Sequence, residues 1–310
     1  MTRQMKDMNA RRILAALGLA LLVAALPVRA QTHEPLKVMS FNIRYGTADD
    51  GPNRWELRRQ QLFDLLRDQV PDIIGLQEAL HFQVIEILKA VPGYASLGSG
   101  RADGARAGEY AAILYRTNRL IAQRSDTFWF SDTPQDIASA SWGNRIERIC
   151  TWAQFDDLRG GTFYVYNVHL DHESQPSREK SVALLLDTIA RRRPVAPVVV
   201  TGDFNADEQN PATQAMLSQF RDTFRVKHPD AADAGTFSGF KPDFTGDRKI
   251  DYVLVEPDTE VLDAAILRTA RDGRYPSDHF PVVATVRLHQ GPATEVRGGG
   301  ASAPHDEGSR

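Results

Sequence analysis

The sequence predicts an α/β protein in which two sheets pack face to face with helices outside, and three observations lead there. Strand-like runs recur from Gln31 to His289: Leu36–Ile43, Asp72–Gln77, Tyr110–Tyr115, Ile149–Phe155, Phe163–Leu170, Val198–Phe204, Ile250–Val255 and Val282–Leu288. Several are β-branched or aromatic and are bounded by Gly, Pro, Asn or Asp. Helical periodicity fills only some gaps: Trp55–Gln69 sets Leu62, Leu65 and Leu66 on one face, and Ser177–Arg191 does the same with Val182, Leu185, Leu186 and Ile189. Between Tyr110 and Leu170 strand alternates with loop and no helix intervenes, so a regular βαβ repeat and a doubly wound parallel sheet fit poorly.

Taken in order, the strands share a feature: each apolar run gives way to an acid, amide or imidazole. Met39-Ser40-Phe41-Asn42 ends on Asn42, and Ile73-Ile74-Gly75-Leu76-Gln77-Glu78 ends on Glu78, which opens a helix over Ala79–Leu88. Tyr166-Asn167-Val168-His169-Leu170-Asp171-His172 ends on a cluster of Asn, His and Asp. Val199-Val200-Thr201-Gly202-Asp203-Phe204-Asn205 ends on Asp203 and Asn205, Lys249-Ile250-Asp251-Tyr252 opens a strand on Asp251, and Ser277-Asp278-His279-Phe280 precedes the last one. Taken singly, each has a bland explanation. Glu78 suits a helix N-terminus, Gly202–Asn205 suits a turn, Asp278-His279 suits a surface loop, and Asn167 and His169 suit a hydrogen-bonded pair on one strand face. Together they predict one polar cleft along a shared edge, with oxygen ligands for a hard cation, a group to orient or deprotonate water and donors for developing phosphoryl charge.

The ends of the chain read as something other than fold. Arg11-Arg12, an apolar run from Ile13 to Leu26 and the small residues Val28 and Ala30 form a secretory signal with cleavage expected after Ala30, placing the protein in the periplasm or outside a bacterial cell. That run is shorter than the ~20 residues a membrane span needs, so no span is expected after cleavage. Residues 31–289 form one domain, and from Gln290 the Gly-rich polar finish reads as a disordered tail. The whole chain carries −3; without residues 1–30, which hold five Lys/Arg and one Asp, 32 basic side chains face 39 acidic ones. A net of −7 gives no long-range attraction for nucleic acid, so no stable nucleic-acid partner is expected. The lone Cys150 forms no intramolecular disulfide.

With these residues assembled, the sequence resembles the endonuclease/exonuclease/phosphatase superfamily, which includes deoxyribonucleases, apurinic-site endonucleases, inositol-polyphosphate phosphatases, bacterial sphingomyelinases and deadenylases. The resemblance spans nearly all of Leu36–Leu288 and rests on Asn42, Gln77-Glu78, Glu109 followed by Tyr115-Arg116, Asn167 with His169, Gly202-Asp203-Phe204-Asn205, Ile250-Asp251-Tyr252 and Ser277-Asp278-His279 in that order. It is closer still to a secreted bacterial branch marked by Gly51-Pro52-Asn53-Arg54-Trp55, Phe128-Trp129-Phe130-Ser131, Ser141-Trp142, Arg148–Trp152 and His169–His172.

The resemblance implies a four-layer α/β sandwich of two mixed, mostly antiparallel sheets. It implies Glu78 as the principal Mg²⁺ or Mn²⁺ ligand with Asn42 and Asp278 beside it. Asp203 would orient or deprotonate water, with Asn205 holding a phosphate oxygen or the metal-bound network, and His279 would contact the phosphoryl group, oriented by Asp251. His169 would be a second imidazolium held by Glu109.

Candidates for the rest of the substrate are Asn167, Arg148, Arg178, Asp171, His172 and Tyr115. Arg101, Arg106 and Arg145 read equally well as phosphate-recognition groups or as solvated side chains, and Trp129 and Trp142 are better explained by core packing. The expected function is a secreted, metal-dependent phosphoesterase acting by in-line water attack on a small or sugar-like phosphoester, working as a monomer. A periplasmic nuclease is the alternative, and a non-catalytic binding module on the same fold ranks below it.

Overall fold

The computed structural model describes residues 34–241 and 248–289; the expected signal segment and C-terminal tail lie outside them. Among the described residues twelve strands form two six-stranded sheets. The first runs β11 (Glu260–Ile266), β12 (Val282–Arg287), β1 (Leu36–Asn42), β2 (Ile73–Gln77), β4 (Ile113–Arg116), β3 (Tyr94–Leu97). The second runs β5 (Leu120–Trp129), β6 (Ile149–Asp157), β7 (Thr162–His169), β8 (Val198–Asp203), β10 (Asp251–Val255), β9 (Arg221–Asp222). Only the β1–β2 and β7–β8 pairs are parallel, so the sheets are mixed and mostly antiparallel as expected.

Strand alternation divides the side chains into layers. Met39, Phe41, Ile74 and Leu76 point outward against Leu62, Leu66, Val84 and Ile87 of helices α1 (Trp55–Gln69) and α2 (His81–Ala90). Tyr166, Val168, Val198 and Val200 do the same against Val182, Leu185, Ile189 and Met216 of α3 (Gln175–Ala190) and α4 (Pro211–Leu217). Val38, Ile73, Val165, Val199 and Val253 point inward and meet between the sheets. The result is a four-layer α/β sandwich whose central strands are buried on both faces, which is why they read as unbroken apolar runs.

The inward face changes character along each central strand. Stepping by two, β1 runs Val38, Ser40, Asn42; β2 runs Ile73, Gly75, Gln77; β7 runs Val165, Asn167, His169; and β8 runs Val199, Thr201, Asp203. An apolar tier gives way to a tier of small or neutral polar residues, and then to the tier at the edge. Gly75 lets the sheets approach in the middle tier: a Cβ there would lie 2.1 Å from Thr201 Oγ1 and 2.6 Å from Asn167 Oδ1.

Asn167, expected to touch substrate, instead fills this middle tier and is wholly buried. Its Nδ2 donates to Leu76 O (2.8 Å) and Ala112 O (3.0 Å), and its Oδ1 accepts from Gln77 Nε2 (2.7 Å) and Thr201 Oγ1 (3.0 Å). With every hydrogen-bonding position used, it bolts one sheet to the other beneath the cleft. Asn167→Ala strands several buried polar groups and is expected to lower unfolding free energy by about 2–4 kcal/mol in a urea titration.

All eight strands expected from the sequence are interior to a sheet, and the four it did not show (β3, β5, β9, β11) are the four sheet edges. The edge strand β5 exposes Gln123, Arg124, Ser125 and Asp126 consecutively, so its apolar residues are split into short pieces at either end. No helix among the described residues is long and apolar enough to cross a membrane.

Candidate active site

Strand register alone assembles most of the site. His169 pairs with Asp203 across the parallel β7–β8 ladder, and Asp203 pairs with Asp251 across the antiparallel β8–β10 ladder. In the other sheet Asn42 pairs with Gln77, which places Glu78 one residue past the edge. The sheets join where Asn42 Nδ2 donates to both Glu78 Oε1 (3.0 Å) and Asp203 Oδ2 (2.9 Å). Among the site residues expected from the sequence, two have positive φ without being glycine, Glu78 at 59° and Asn205 at 48°. Asparagine adopts that region readily, whereas for glutamate it is a sparsely populated conformation worth noting at a functional site. Tyr45 N donates to Glu78 Oε2 at 3.1 Å and helps hold it there.

A cleft of about 680 Å³ opens above this floor, lined by Glu78, Glu109, Arg148, His169, His172, Asp203, Asn205, Asp278 and His279 among the expected residues. Asn42 and Asp251 lie directly behind the lining. Asp171 is buried under Arg148, accepting from its Nε at 3.2 Å.

His279 is held between carboxylates. Its Nδ1 lies 2.9 Å from Asp251 Oδ2 and its Nε2 lies 3.8 Å from Asp203 Oδ2. Burial works against a charged ring, but Asp251 and then Asp203 overcome it and hold His279 protonated, well above the ordinary imidazole range. Asp203 is raised as well: burial first, then the charge of Asp251, push its carboxyl up to about 7. Asn205 N donates to Asp203 Oδ1 at 2.8 Å and fixes that carboxylate's orientation. Asp203, Asp251 and His279 offer ligand atoms within 4.8 Å of one another, a set that could hold a metal. Within that set His279 Nδ1 is already engaged by Asp251, which leaves Nε2 to face the cleft.

His169 departs from expectation. Its Nδ1 stands 3.8 Å from Glu109 Oε2, beyond hydrogen-bonding distance, because Glu109 instead accepts from Arg101 Nη2 at 2.7 Å. Its Nε2 accepts from Asn205 Nδ2 at 3.1 Å. Burial, then the positive charges of Arg148 and Arg101, hold this ring well below its ordinary value. His169 is a neutral imidazole rather than a second imidazolium.

Two other expected contacts lie elsewhere. Arg178 turns back on its own helix, donating to Asp171 O (2.8 Å) and Gln175 Oε1 (2.8 Å), and so braces the loop that carries His172. Tyr115 packs on Phe155, ring centroids 5.1 Å apart, against the inter-sheet core. Arg148 donates to His172 Nδ1 at 2.6 Å, so the two form one unit on the cleft wall. Arg101 lines the cleft, whereas Arg106 and Arg145 are exposed. Trp129 is buried and donates to Arg101 O at 2.7 Å, a structural role in keeping with its sequence.

The sequence reading missed Arg44 and Asp50. Arg44 lines the cleft with Nη1 3.8 Å from Glu78 Oε2 and Nε 3.9 Å from Asp278 Oδ2. Its one sequence signal is its position two residues beyond Asn42.

The donor set fits a hard divalent cation. Glu78 and Asp278 present carboxylate oxygens on one side of the cleft, while Cys150 is buried in the outer core of the second sheet. Burial pushes the Asp278 carboxyl up and Glu78 adds to the rise, while His279, Arg44 and Arg58 oppose it. Asn42, expected as a third ligand, offers its nitrogen to the two carboxylates and has its Oδ1 taken by Arg44 N at 3.0 Å, so here it spaces the carboxylates.

Residues 39–279 match the sequence profile of the Endonuclease/Exonuclease/phosphatase family. Among solved structures, an endonuclease/exonuclease/phosphatase from Bacteroides vulgatus is 31% identical, with a TM-score of 0.77 over 82% of this chain and 99% of that one. A protein of Bacteroides thetaiotaomicron described as a mannosyl-6-phosphatase is 32% identical, with a TM-score of 0.74 over 81% of this chain and 99% of that one. An uncharacterized protein of Acanthamoeba polyphaga mimivirus is 30% identical over 185 residues, 56% of this chain and 68% of that protein.

Proposed function

The chain belongs to the endonuclease/exonuclease/phosphatase family, whose members are hydrolases of phosphoester bonds, and we propose that it is a secreted, divalent-metal-dependent phosphoesterase acting as a monomer on a small sugar phosphate. The observation that carries this reading is the buried row Asp251–His279–Asp203 beside Glu78 and Asp278, an acid, a base and an oxygen-ligand pair on one cleft floor.

Glu78 and Asp278 would hold Mg²⁺ or Mn²⁺, which when bound offsets charge on the phosphoryl oxygens. Asp203, ionising near neutral pH, takes a proton from the attacking water. Asn205 fixes the orientation of that carboxylate. His279 keeps its charge through Asp251 and presents Nε2–H to a phosphoryl oxygen as negative charge grows there. Neutral His169 donates nothing from Nε2; it accepts from Asn205 and holds that side chain in place. Arg101 and the Arg148–His172 unit line the cleft where further substrate oxygens would lie.

Two observations favour a small sugar phosphate over a polynucleotide. The chain expected after signal cleavage is acidic overall, and the Bacteroides thetaiotaomicron relative is described as a mannosyl-6-phosphatase. Export rests on the Arg11–Ala30 segment and predicts a mature N-terminus at Gln31.

The test is product release in Mg²⁺, Mn²⁺ or chelator from hexose 6-phosphates, inositol phosphates, sphingomyelin, RNA and plasmid DNA. Chelator-sensitive phosphate release, fastest from a hexose phosphate, is expected. Preferential cutting of a polynucleotide would favour the nuclease, and silence without any metal effect on the melting temperature would leave a binding module.

A further inference from the structure

We propose that Arg44 is an internal competitor for the divalent cation at Glu78 and Asp278, and that Asp50 sets how strongly it competes; the inference rests on the metal-dependent reading above. Three observations place a fixed positive charge at the metal's own ligands. The guanidinium sits 3.8 Å from Glu78 Oε2 and 3.9 Å from Asp278 Oδ2, near enough to attract both and too far to hydrogen-bond either. It is held just short of them by Asp50, which accepts from Nε at 3.2 Å and from Nη2 at 3.1 Å.

The backbone that aims it is locked in an uncommon conformation. Arg44 has a φ of 53°, a sparsely populated region for an arginine. Its carbonyl accepts from Arg58 Nη2 (2.8 Å) and Gln83 Nε2 (3.1 Å), and its N–H donates to Asn42 Oδ1 (3.0 Å). Arg58, itself buried, uses Nη1 to bind Ile43 O (2.7 Å) and Pro276 O (2.9 Å), tying this turn to the segment that carries Asp278. The turn lies beyond the last residue of β1, so the sheet does not require its geometry.

Without metal, Arg44 supplies one positive charge to the acids around it. A dication brings two and must approach the same oxygens. A monocation ~5 Å from a dication weakens its binding about tenfold even at a water-like dielectric. Asp50 offers the guanidinium an alternative seat and so limits the competition.

The experiment is calorimetric titration of Mn²⁺ into the wild-type protein, Arg44→Gln, Asp50→Asn and the double variant, with melting temperatures measured with and without Mn²⁺. Arg44→Gln is expected to bind Mn²⁺ about tenfold more tightly and to show a larger metal-induced rise in melting temperature. Asp50→Asn is expected to bind it more weakly, and that loss should shrink in the Arg44→Gln background, since Asp50 acts through Arg44. Equal or weaker binding by Arg44→Gln, or an Asp50→Asn loss of the same size in both backgrounds, overturns the proposal. Should Arg44→Gln not fold, normal binding by a folded Asp50→Asn overturns it. Wild-type protein that binds no Mn²⁺ removes the metal-dependent function and this inference together, whereas wild-type binding with unchanged variants removes the inference alone.

Discussion

Asp203→Asn is expected to lower metal-dependent phosphoester turnover by ~10²–10⁴ with little change in KM, the size of effect associated with loss of a general base. The change keeps the shape of the side chain and an oxygen for Asn205 N, which donates to it at 2.8 Å, but it sets an amide nitrogen against Asn42 Nδ2 and so removes one buried hydrogen bond. What is lost is the carboxylate that can receive a proton from water. Because burial and then Asp251 push this carboxyl up to about 7, an amide also relieves a buried charge, which offsets that lost hydrogen bond, and a melting temperature close to wild type is expected. A drop in stability matching the drop in rate would instead make Asp203 structural. Steady-state kinetics and a thermal melt on the same preparation separate the two.

His279→Ala is expected to cost ~10²–10³ in turnover, the range seen when one donor to a developing oxyanion is removed. Asp251→Asn gives the sharper result, because Asp251 acts on both neighbours. In the wild type, kcat/KM should rise as Asp203 loses its proton through about pH 7 and fall only in the alkaline range where His279 loses its own. Asp251 raises both groups, second to burial for Asp203 and as the strongest influence opposing burial for His279. Removing its charge lowers both, so the whole bell-shaped profile should move toward lower pH, with the alkaline limb moving most visibly. A profile that falls in height without moving would show that Asp251 does not govern His279.

The parts of this protein legible in its sequence are those where one local property decides. Interior strands must be apolar on both faces, so all eight could be read. Edge strands such as β5 and β11 answer to water on one side and carry mixed residues, so their pairing is decided by partners far along the chain. Helix α1 could be read from its apolar face, and its bounds match the expected Trp55–Gln69. The short helices α4 and α5 (Thr223–Lys227) lack the length for a periodic signal.

The same division runs through the site. Asn42, Glu78, Asp203, Asn205, Asp251, Asp278 and His279 stand where apolar strands stop, and the fold brings those positions together. Asn167 and His169 share a strand face in the sequence, but two residues of depth separate a buried cross-sheet brace from a cleft residue, and depth is a property of the packed sheets. The charge of His169 was not legible because Arg101 and Arg148, which help to hold it neutral, come from other elements and capture or crowd the groups around it. Arg44 and Asp50 were obscured by sitting in a stretch that reads as turn.

The most direct test of the central claim is hydrolysis of a hexose 6-phosphate in water enriched in the heavy oxygen isotope, with Mg²⁺ or with chelator. Attack by water on phosphorus predicts one heavy oxygen in the released phosphate, none in the sugar, and no release once metal is removed. Label in the sugar hydroxyl, or release that chelator leaves untouched, would contradict it.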